Sequence, residues 1–460
     1  MLFIDHGRIC ERIARHHAAP SPQQVRDILA KARELRGIDA DEVLVLCRVV
    51  DNDLLEELFS TARFVKQQIY GNRLVLFAPL YVSNLCANEC LYCAFRKSNT
   101  LVRRKALSQE EIARETEVLL HQGHKRILLV AGEAYPAEGI SYIFRSIETI
   151  YKVTIPRARI RRINVNIAPL SVEEFRELHA CKIGTYQLFQ ETYHEPTYRK
   201  LHPRGPKADY EYRLTAMDRA FTAGFDDVGI GILFGLYDWR YEVLALLSHI
   251  EHLEKTFGIG PHTISVPRLE PAEGAPLSMC PPFPVSDDAF KKIIAILRLA
   301  VPYTGIILST RETPSMRRES LSLGVSQISA GSRTNPGGYS STSSSEQFSL
   351  GDTRPLLEVI KDIVAQGYIP SFCTACYRLG RVGKDFMELA KPGLIKKHCL
   401  PNAIFTFAEY LEDFADNDLK NRGNTLIDTM ITMDIDTDPL RSKVRENLQK
   451  IAAGERDLYF

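Results

Sequence analysis

The sequence has no uninterrupted apolar run long enough to cross a bilayer. Its first twenty residues mix His, Arg and Asp without the apolar centre of a secretion signal. Charge of a dominant sign is missing too. With 58 Lys and Arg against 57 Asp and Glu the net charge is +1, so no global field favours nucleic acid or an acidic membrane surface. Tryptophan is almost absent, and the single Trp239 is expected to pack. Ten cysteines in 460 residues, with no export signal, are too few and too uneven for a disulfide framework; they suit metal ligation in a reducing cytoplasm. No repeat of fixed period is visible. No G-x-G-x-x-G follows the first strand-like run, which disfavours a doubly wound dinucleotide-binding sheet.

The first thing present is Cys86-Ala-Asn-Glu-Cys90-Leu-Tyr-Cys93, three cysteines within eight residues. Three thiolates on one loop hold three irons of a [4Fe-4S] cube and leave the fourth iron for a small chelator. A closed zinc site would need a fourth ligand, and no His or further Cys lies near. Tyr92 and Phe95 put aromatic surface beside this cluster. The C-x3-C-x2-C spacing, with an aromatic before the last cysteine, resembles the signature of radical S-adenosylmethionine (SAM) enzymes. The resemblance implies that SAM chelates the open iron and is cleaved to a 5'-deoxyadenosyl radical.

The first seventy or so residues read as a helical extension, with caps at Ser21-Pro22 and an apolar face of Val25, Ile28, Leu29, Ala32 and Leu35. From Leu74, strand-like runs alternate with amphipathic stretches. The runs are Leu74–Leu80, Arg126–Ala131, Ile163–Ala168, Thr185–Gln190, Asp227–Leu233, His262–Leu269, Gly305–Ser309 and Ser326–Ala330. Capping boxes at Ser108 and Ser171 open two of the intervening helices. Eight such runs predict an α/β chain folded as a parallel (β/α)8 barrel. The expected organisation is a helical extension over 1–73, the barrel over 74–334, and a linker with a mainly helical cluster-binding domain over 335–460. The Gly/Ser-rich stretch Asn335–Gln347 reads as a mobile connection, with an active-site lid as the alternative.

The tail contains a second set, Cys373-Thr-Ala-Cys376 and, 22 residues on, Cys399. Spacing alone leaves two readings: a zinc site completed by His398, or a second [4Fe-4S] cluster with an open iron. The two triads together, with Phe189–His194, Gly229–Gly231, Leu233–Leu236 and Gly260–Leu269, resemble the HydG family of [FeFe]-hydrogenase maturases, radical SAM tyrosine lyases. The barrel half is also similar to the tyrosine lyase of thiazole biosynthesis, which is not expected to have the tail triad and remains the alternative. The resemblance to the maturases implies cleavage of tyrosine to p-cresol and dehydroglycine. It further implies conversion of dehydroglycine to CO and cyanide, delivered as an iron carbonyl–cyanide unit for the hydrogenase active-site cluster. The implied cofactors are SAM and two [4Fe-4S] clusters, the second with an additional iron. The implied partners are tyrosine, a reductant such as ferredoxin or flavodoxin, and other hydrogenase maturases.

On this resemblance, Gly132 and Glu133 would receive the SAM amino group, with glycine letting backbone approach and carboxylate pairing with ammonium. Glu191 would accept from the ribose hydroxyls, Arg213 would bind the SAM carboxylate, and Gly229 and Gly231 would let adenine or ribose lie against backbone. Arg311 and Arg333 are both candidates for the tyrosine carboxylate, with Ser332 adding a hydrogen bond. His262 would help to hold the additional iron. Each arginine could instead be a surface residue. Cys10, Cys47, Cys181 and Cys280 stand outside any motif spacing. The barrel interior is the expected passage for dehydroglycine between the triads.

Overall fold

The computed structural model describes residues 3–341, 345–435 and 437–460. Four helices come first: α1 (His6–Arg15), α2 (Pro22–Ala32), α3 (Ala40–Cys47) and α4 (Asn52–Tyr70). Each is opened by a side chain that satisfies a free backbone N–H: Asp5, Ser21, Asp39 and Asp51. Asp39 and Glu42 complete a capping box. Val25, Ile28, Leu29 and Ala32 are buried as the apolar periodicity predicts, whereas Leu35 lies past the end of α2 with a left-handed φ of 65°.

The eight expected runs form eight parallel strands in sequence order: β1 (Arg73–Ser83), β2 (Arg126–Ala131), β3 (Arg162–Asn166), β4 (Tyr186–Gln187), β5 (Val228–Gly231), β6 (Thr263–Ser265), β7 (Gly305–Leu308) and β8 (Val325–Ser329). Val75, Leu76 and Phe77 of β1 pair with Gln327, Ile328 and Ser329 of β8, which closes the barrel. The outward residues Ile127, Leu129, Ile163, Val165, Ile306 and Ile328 join the main core beneath the helices. The inward rows are unusual. A barrel of this kind is ordinarily filled by bulky branched residues, but here Asn166, Gln187, Ser265 and Ser329 line a cavity at the upper, C-terminal mouth, and Arg126 and Gln327 line one at the lower mouth.

Two features depart from the sequence expectations. The tail, read as helical, also supplies a ninth strand, β9 (Ile369–Ser371), parallel to the first residues of β1 through Arg73↔Ile369 and Val75↔Ser371. Because β2 pairs with β1 only from Ala78 upward, the start of β1 has a free edge, and β9 covers it. The stretch Asn335–Gln347 is not a loose connection where it is described. Tyr339 and Ser340 donate backbone N–H groups to the Glu115 carboxylate at 2.9 and 2.7 Å, and the Tyr339 hydroxyl donates to the Pro79 carbonyl at 2.7 Å. Backbone and side-chain polar bonds fix it together with the packing of Tyr339 against the core, and its polar composition gives no sign of the docking. Residues 342–344 of that stretch lie outside the described residues. Among the described residues no helix is long and apolar enough to cross a membrane.

Candidate active site

Cys86, Cys90 and Cys93 lie on the loop that leaves β1 at the upper mouth. Asn84 ties off its base: its amide donates to the Arg103 carbonyl at 2.8 Å and its oxygen accepts from Lys105 N at 2.7 Å. The Arg104 guanidinium donates to the carbonyls of Asn84, Phe95, Arg96 and Asn99, so one side chain holds both ends of the loop. Gly132 is required by the same loop, since a Cβ there would stand 2.2 Å from the Leu85 carbonyl oxygen. All three cysteines line the upper cavity with Tyr92 and Phe95. Burial raises each thiol, Cys93 to about 11. A bound cationic centre reverses that preference, because a coordinating thiol is deprotonated. Three thiols on one rigid loop, facing a shared cavity, fit a cluster with one iron left open.

Opposite the loop runs a chain of ions. Glu133 accepts from Asn88 Nδ2 at 2.7 Å and from Arg213 Nη1 at 2.8 Å. Arg213 Nη2 lies 3.6 Å from Glu191, and Lys207 Nζ donates to Glu191 at 2.7 Å. Burial works against every charge in this chain, yet mutual attraction outweighs it: the Glu133 pKa is lowered by Arg213 and Lys207, and those of Arg213 and Lys207 are raised by the glutamates. Glu191 has a left-handed φ of 70°, a conformation that costs a non-glycine residue about 1 kcal/mol and here aims the carboxylate inward. Lys207 was missing from the sequence expectations. A lone lysine after Gly205-Pro206 carries no motif signal, and only its near-complete burial marks it.

The remaining expected residues separate. Arg311 lines the cavity, with its guanidinium 3.3 Å above the Phe348 ring centroid. Arg333 does not: it folds back to donate to the Ser332 carbonyl at 2.9 Å, and the wall at that point is Thr334. Ser332 is buried off the wall with its hydroxyl unpartnered. Gly229 and Gly231 are also absent from the wall. A Cβ on Gly229 would meet Thr263 Oγ1 at 2.5 Å, and one on Gly231 would meet Phe189 at 2.7 Å. Neighbouring side chains, not a ligand, occupy the space these glycines open. Glu270, Gln347 and Phe348, none of them anticipated, complete the wall.

The second triad sits at the lower mouth. Cys373 follows β9, Cys376 lies on the short helix Ala375–Arg378, and Cys399 lies in the first turn of the helix Lys396–Asp413. The three share a cavity with Arg73, Arg126, Gln327 and His262, so the structure brings His262 to the tail cysteines. Arg126 donates to the Cys373 carbonyl at 3.0 Å. The Cys376 thiol, hydrogen-bonded to Cys399, makes Cys399 the more acidic of the two, and Arg73 stabilises that thiolate further. Burial lowers the His262 pKa, so its imidazole is neutral and free to ligate. His398, the expected fourth zinc ligand, is not on the cavity wall and lies 2.8 Å from the Arg381 guanidinium. Among the described residues no three His, Cys, Asp or Glu side chains converge at single-ion distance. A cube does not need them to, since each thiolate binds a different iron.

Residues 80–247 match the model of the radical SAM superfamily, and residues 265–369 match the biotin and thiamin synthesis associated domain. A crystal structure described as HydG, a maturase of the [FeFe]-hydrogenase, superposes over 100% of both chains with a TM-score of 0.96 and 50% identity. The chain belongs to the HydG family of radical SAM tyrosine lyases. HydG from Carboxydothermus hydrogenoformans matches 96% of this chain and 97% of its own at 42% identity, with a TM-score of 0.85. The 2-iminoacetate synthase of Salmonella typhimurium is 34% identical over 342 residues, 74% of this chain and 88% of the synthase. That match falls short of this chain's full length, whereas the HydG likeness extends through the tail triad. A HydG-type radical SAM lyase uses a [4Fe-4S] cluster and SAM, and the Cys86–Cys93 loop with its facing ion chain fits both.

Proposed function

We propose that this chain cleaves tyrosine between Cα and Cβ at the upper mouth and breaks the resulting dehydroglycine down to CO and cyanide at the lower mouth, for assembly of the [FeFe]-hydrogenase active-site cluster. The observation that carries the proposal is the presence of two cysteine triads at opposite mouths of one barrel whose inward rows are polar.

Cys86, Cys90 and Cys93 would hold the first [4Fe-4S] cluster; Cys373, Cys376 and Cys399 would hold a second, with His262 at an additional iron. Bound at the upper mouth, cluster and SAM supply a 5'-deoxyadenosyl radical. The chain's own work is to place tyrosine and exclude water. Arg311, whose guanidinium lines the cavity over the Phe348 ring and has no hydrogen-bond partner among the described residues, binds the tyrosine carboxylate. Phe77, Tyr81, Phe95 and Phe348 close the cavity around the reacting carbon atoms. Glu133, Glu191, Lys207 and Arg213 present fixed charge to SAM. Buried acceptors without partners, Gln187 Oε1 and Thr263 Oγ1, line the interior and suit a small polar imine in transit. At the lower mouth, Arg73 and Arg126 meet its carboxylate. An electron donor such as ferredoxin or flavodoxin and the other hydrogenase maturases are the proposed partners.

The test is an anaerobic assay of the iron- and sulfide-reconstituted protein with SAM, tyrosine and a reductant, following p-cresol and trapping CO on deoxyhaemoglobin. The parent gives both products, and Cys376→Ala and Cys399→Ala give p-cresol alone. Parent protein that makes p-cresol without CO would overturn the lower-mouth chemistry and leave dehydroglycine synthesis, as in the thiazole pathway, in its place.

A further inference from the structure

The described end of the docked segment reaches the first triad. The Gln347 side-chain amide donates to the Cys93 sulfur at 3.8 Å, and its oxygen accepts from the Tyr81 hydroxyl at 2.7 Å. These two contacts are not interchangeable. A phenolic hydroxyl can either donate or accept, but a carbonyl oxygen offers nothing to a thiolate. Only one orientation of the amide therefore serves both neighbours, with oxygen on Tyr81 and nitrogen on Cys93. Tyr81 is 5% exposed, on a barrel strand, and cannot swing away. Gln347 is held from behind as well: its backbone N–H donates to the Thr334 carbonyl at 3.0 Å. Next to it, Phe348 lies under the Arg311 guanidinium.

We propose that Gln347 is a positioning residue for the first cluster: oriented by Tyr81, it donates a hydrogen bond to the Cys93 thiolate and raises the cluster's reduction potential. Reduction adds negative charge that spreads onto the cysteine sulfurs. A donor at one sulfur stabilises the reduced state more than the oxidised one, and hydrogen bonds to the sulfurs are among the factors that set these potentials. Among the described residues, Cys93 is the one loop cysteine that accepts from a side chain outside the loop. Electron arrival must precede SAM cleavage, so a donor on a segment separate from the cysteine loop lets the docking of that segment influence when the cluster can be reduced.

The proposal is tested on reconstituted full-length protein by redox titration of the first cluster, read by EPR, with Cys399→Ala as background so that the second cluster does not contribute signal. Gln347→Met keeps the length of the side chain and removes the donor. Tyr81→Phe keeps the donor and removes the group that orients it. At one poised potential, Gln347→Met should show a roughly tenfold lower ratio of reduced to oxidised cluster, equivalent to about 59 mV for a one-electron couple. Tyr81→Phe should fall between that variant and the parent. Iron content and SAM affinity should stay at parental values in both, which separates a change of potential from damage to the loop. A Gln347→Met protein with its full iron complement and the parental midpoint overturns the proposal. If Gln347→Met does not load iron, a parental midpoint in Tyr81→Phe overturns it instead.

Discussion

The two mouths of the barrel hold the same inventory, three cysteines each, and build it by different means. Above, the triad is local: eight residues on one loop, tied off by Asn84 and Arg104. Its surroundings are almost charge-balanced, because Glu133, Glu191, Lys207 and Arg213 neutralise one another. Below, the triad is assembled from two segments 22 residues apart, brought under the barrel by β9 and ringed by Arg73 and Arg126. The upper cavity encloses about 190 Å³ and the lower about 50 Å³, so selection of tyrosine by size belongs to the upper mouth alone. A balanced site suits zwitterionic ligands such as SAM and tyrosine. A basic one suits anionic products and the negative charge of a thiolate-bound cluster.

The largest expected effect breaks this division from above. Cys93→Ala should abolish p-cresol and CO together, because in the proposed reaction the lower mouth takes its substrate from the upper one. Gly132→Ala should come close to it. The added Cβ has to displace the Leu85 carbonyl, and with it the cysteine loop, so iron retained by the upper triad should drop sharply while the lower triad still loads. Iron analysis of each variant in a Cys399→Ala background measures the upper loss separately. Next in size is Arg311→Lys. It gives up bidentate recognition and one charge-assisted bond worth about 1.5–3 kcal/mol, so KM for tyrosine should rise roughly tenfold to a hundredfold. Arg333→Lys, at a residue turned away from the wall, should leave KM within about twofold. Equal effects at the two arginines would remove the distinction the cavity draws between them. Smaller again is Arg126→Met at the lower mouth. It should cut the CO yield severalfold with p-cresol unchanged, as read by the paired assay.

How much of this was legible in the sequence follows the same division. The upper triad is contiguous, so spacing alone identified it, and the eight strands were visible because their outward residues are apolar. The lower triad is visible as three cysteines, but the spacing does not say what they hold; that His398 faces Arg381 while His262 shares the cavity is a fact of the fold alone. Gly229 and Gly231 stand off the cavity wall and make room for Thr263 and Phe189, which no single-strand pattern reveals. Lys207, Glu270 and Gln347 were invisible for a shared reason. Glu270 and Gln347 reach the cavity from irregular segments and Lys207 from a single 3-10 turn (Pro206–Ala208), where neither period 2 nor period 3.6 predicts which way a side chain points. Polar linker composition concealed the docked segment, because its bonds are made by backbone groups that every residue carries.

The smallest expected effect on the chemistry, though not on stability, concerns what braces each mouth. Behind Glu191, the backbone N–H of Tyr193 and the Thr192 hydroxyl donate to Glu242, a carboxyl 1% exposed. Burial pushes its pKa up to about 8. The lower brace, Arg126 on the Cys373 carbonyl, contains no carboxyl. The upper brace should therefore respond to moderate alkali. Below the ordinary glutamate pKa of about 4.3 both folded and unfolded chains hold the proton, and Glu242 opposes folding least. Between there and about 8 the unfolded chain ionises while the folded one does not, so stability falls as pH rises, by at most ~5 kcal/mol in total. Above 8 both are ionised and the loss is complete. Glu242→Gln cannot ionise. It gives up one hydrogen bond, about 1 kcal/mol, but its stability should be flatter than the parent's from pH 5 to 8 in denaturant titrations. Hydrogen exchange, corrected for the intrinsic rate, should rise between pH 5 and 8 and level off above 8 in peptides covering residues 189–194 of the parent, not in those covering 371–376. Parallel slopes in parent and variant would mean that Glu242 is already ionised at pH 7, and that the upper mouth is braced by a buried carboxylate and not by a neutral carboxyl.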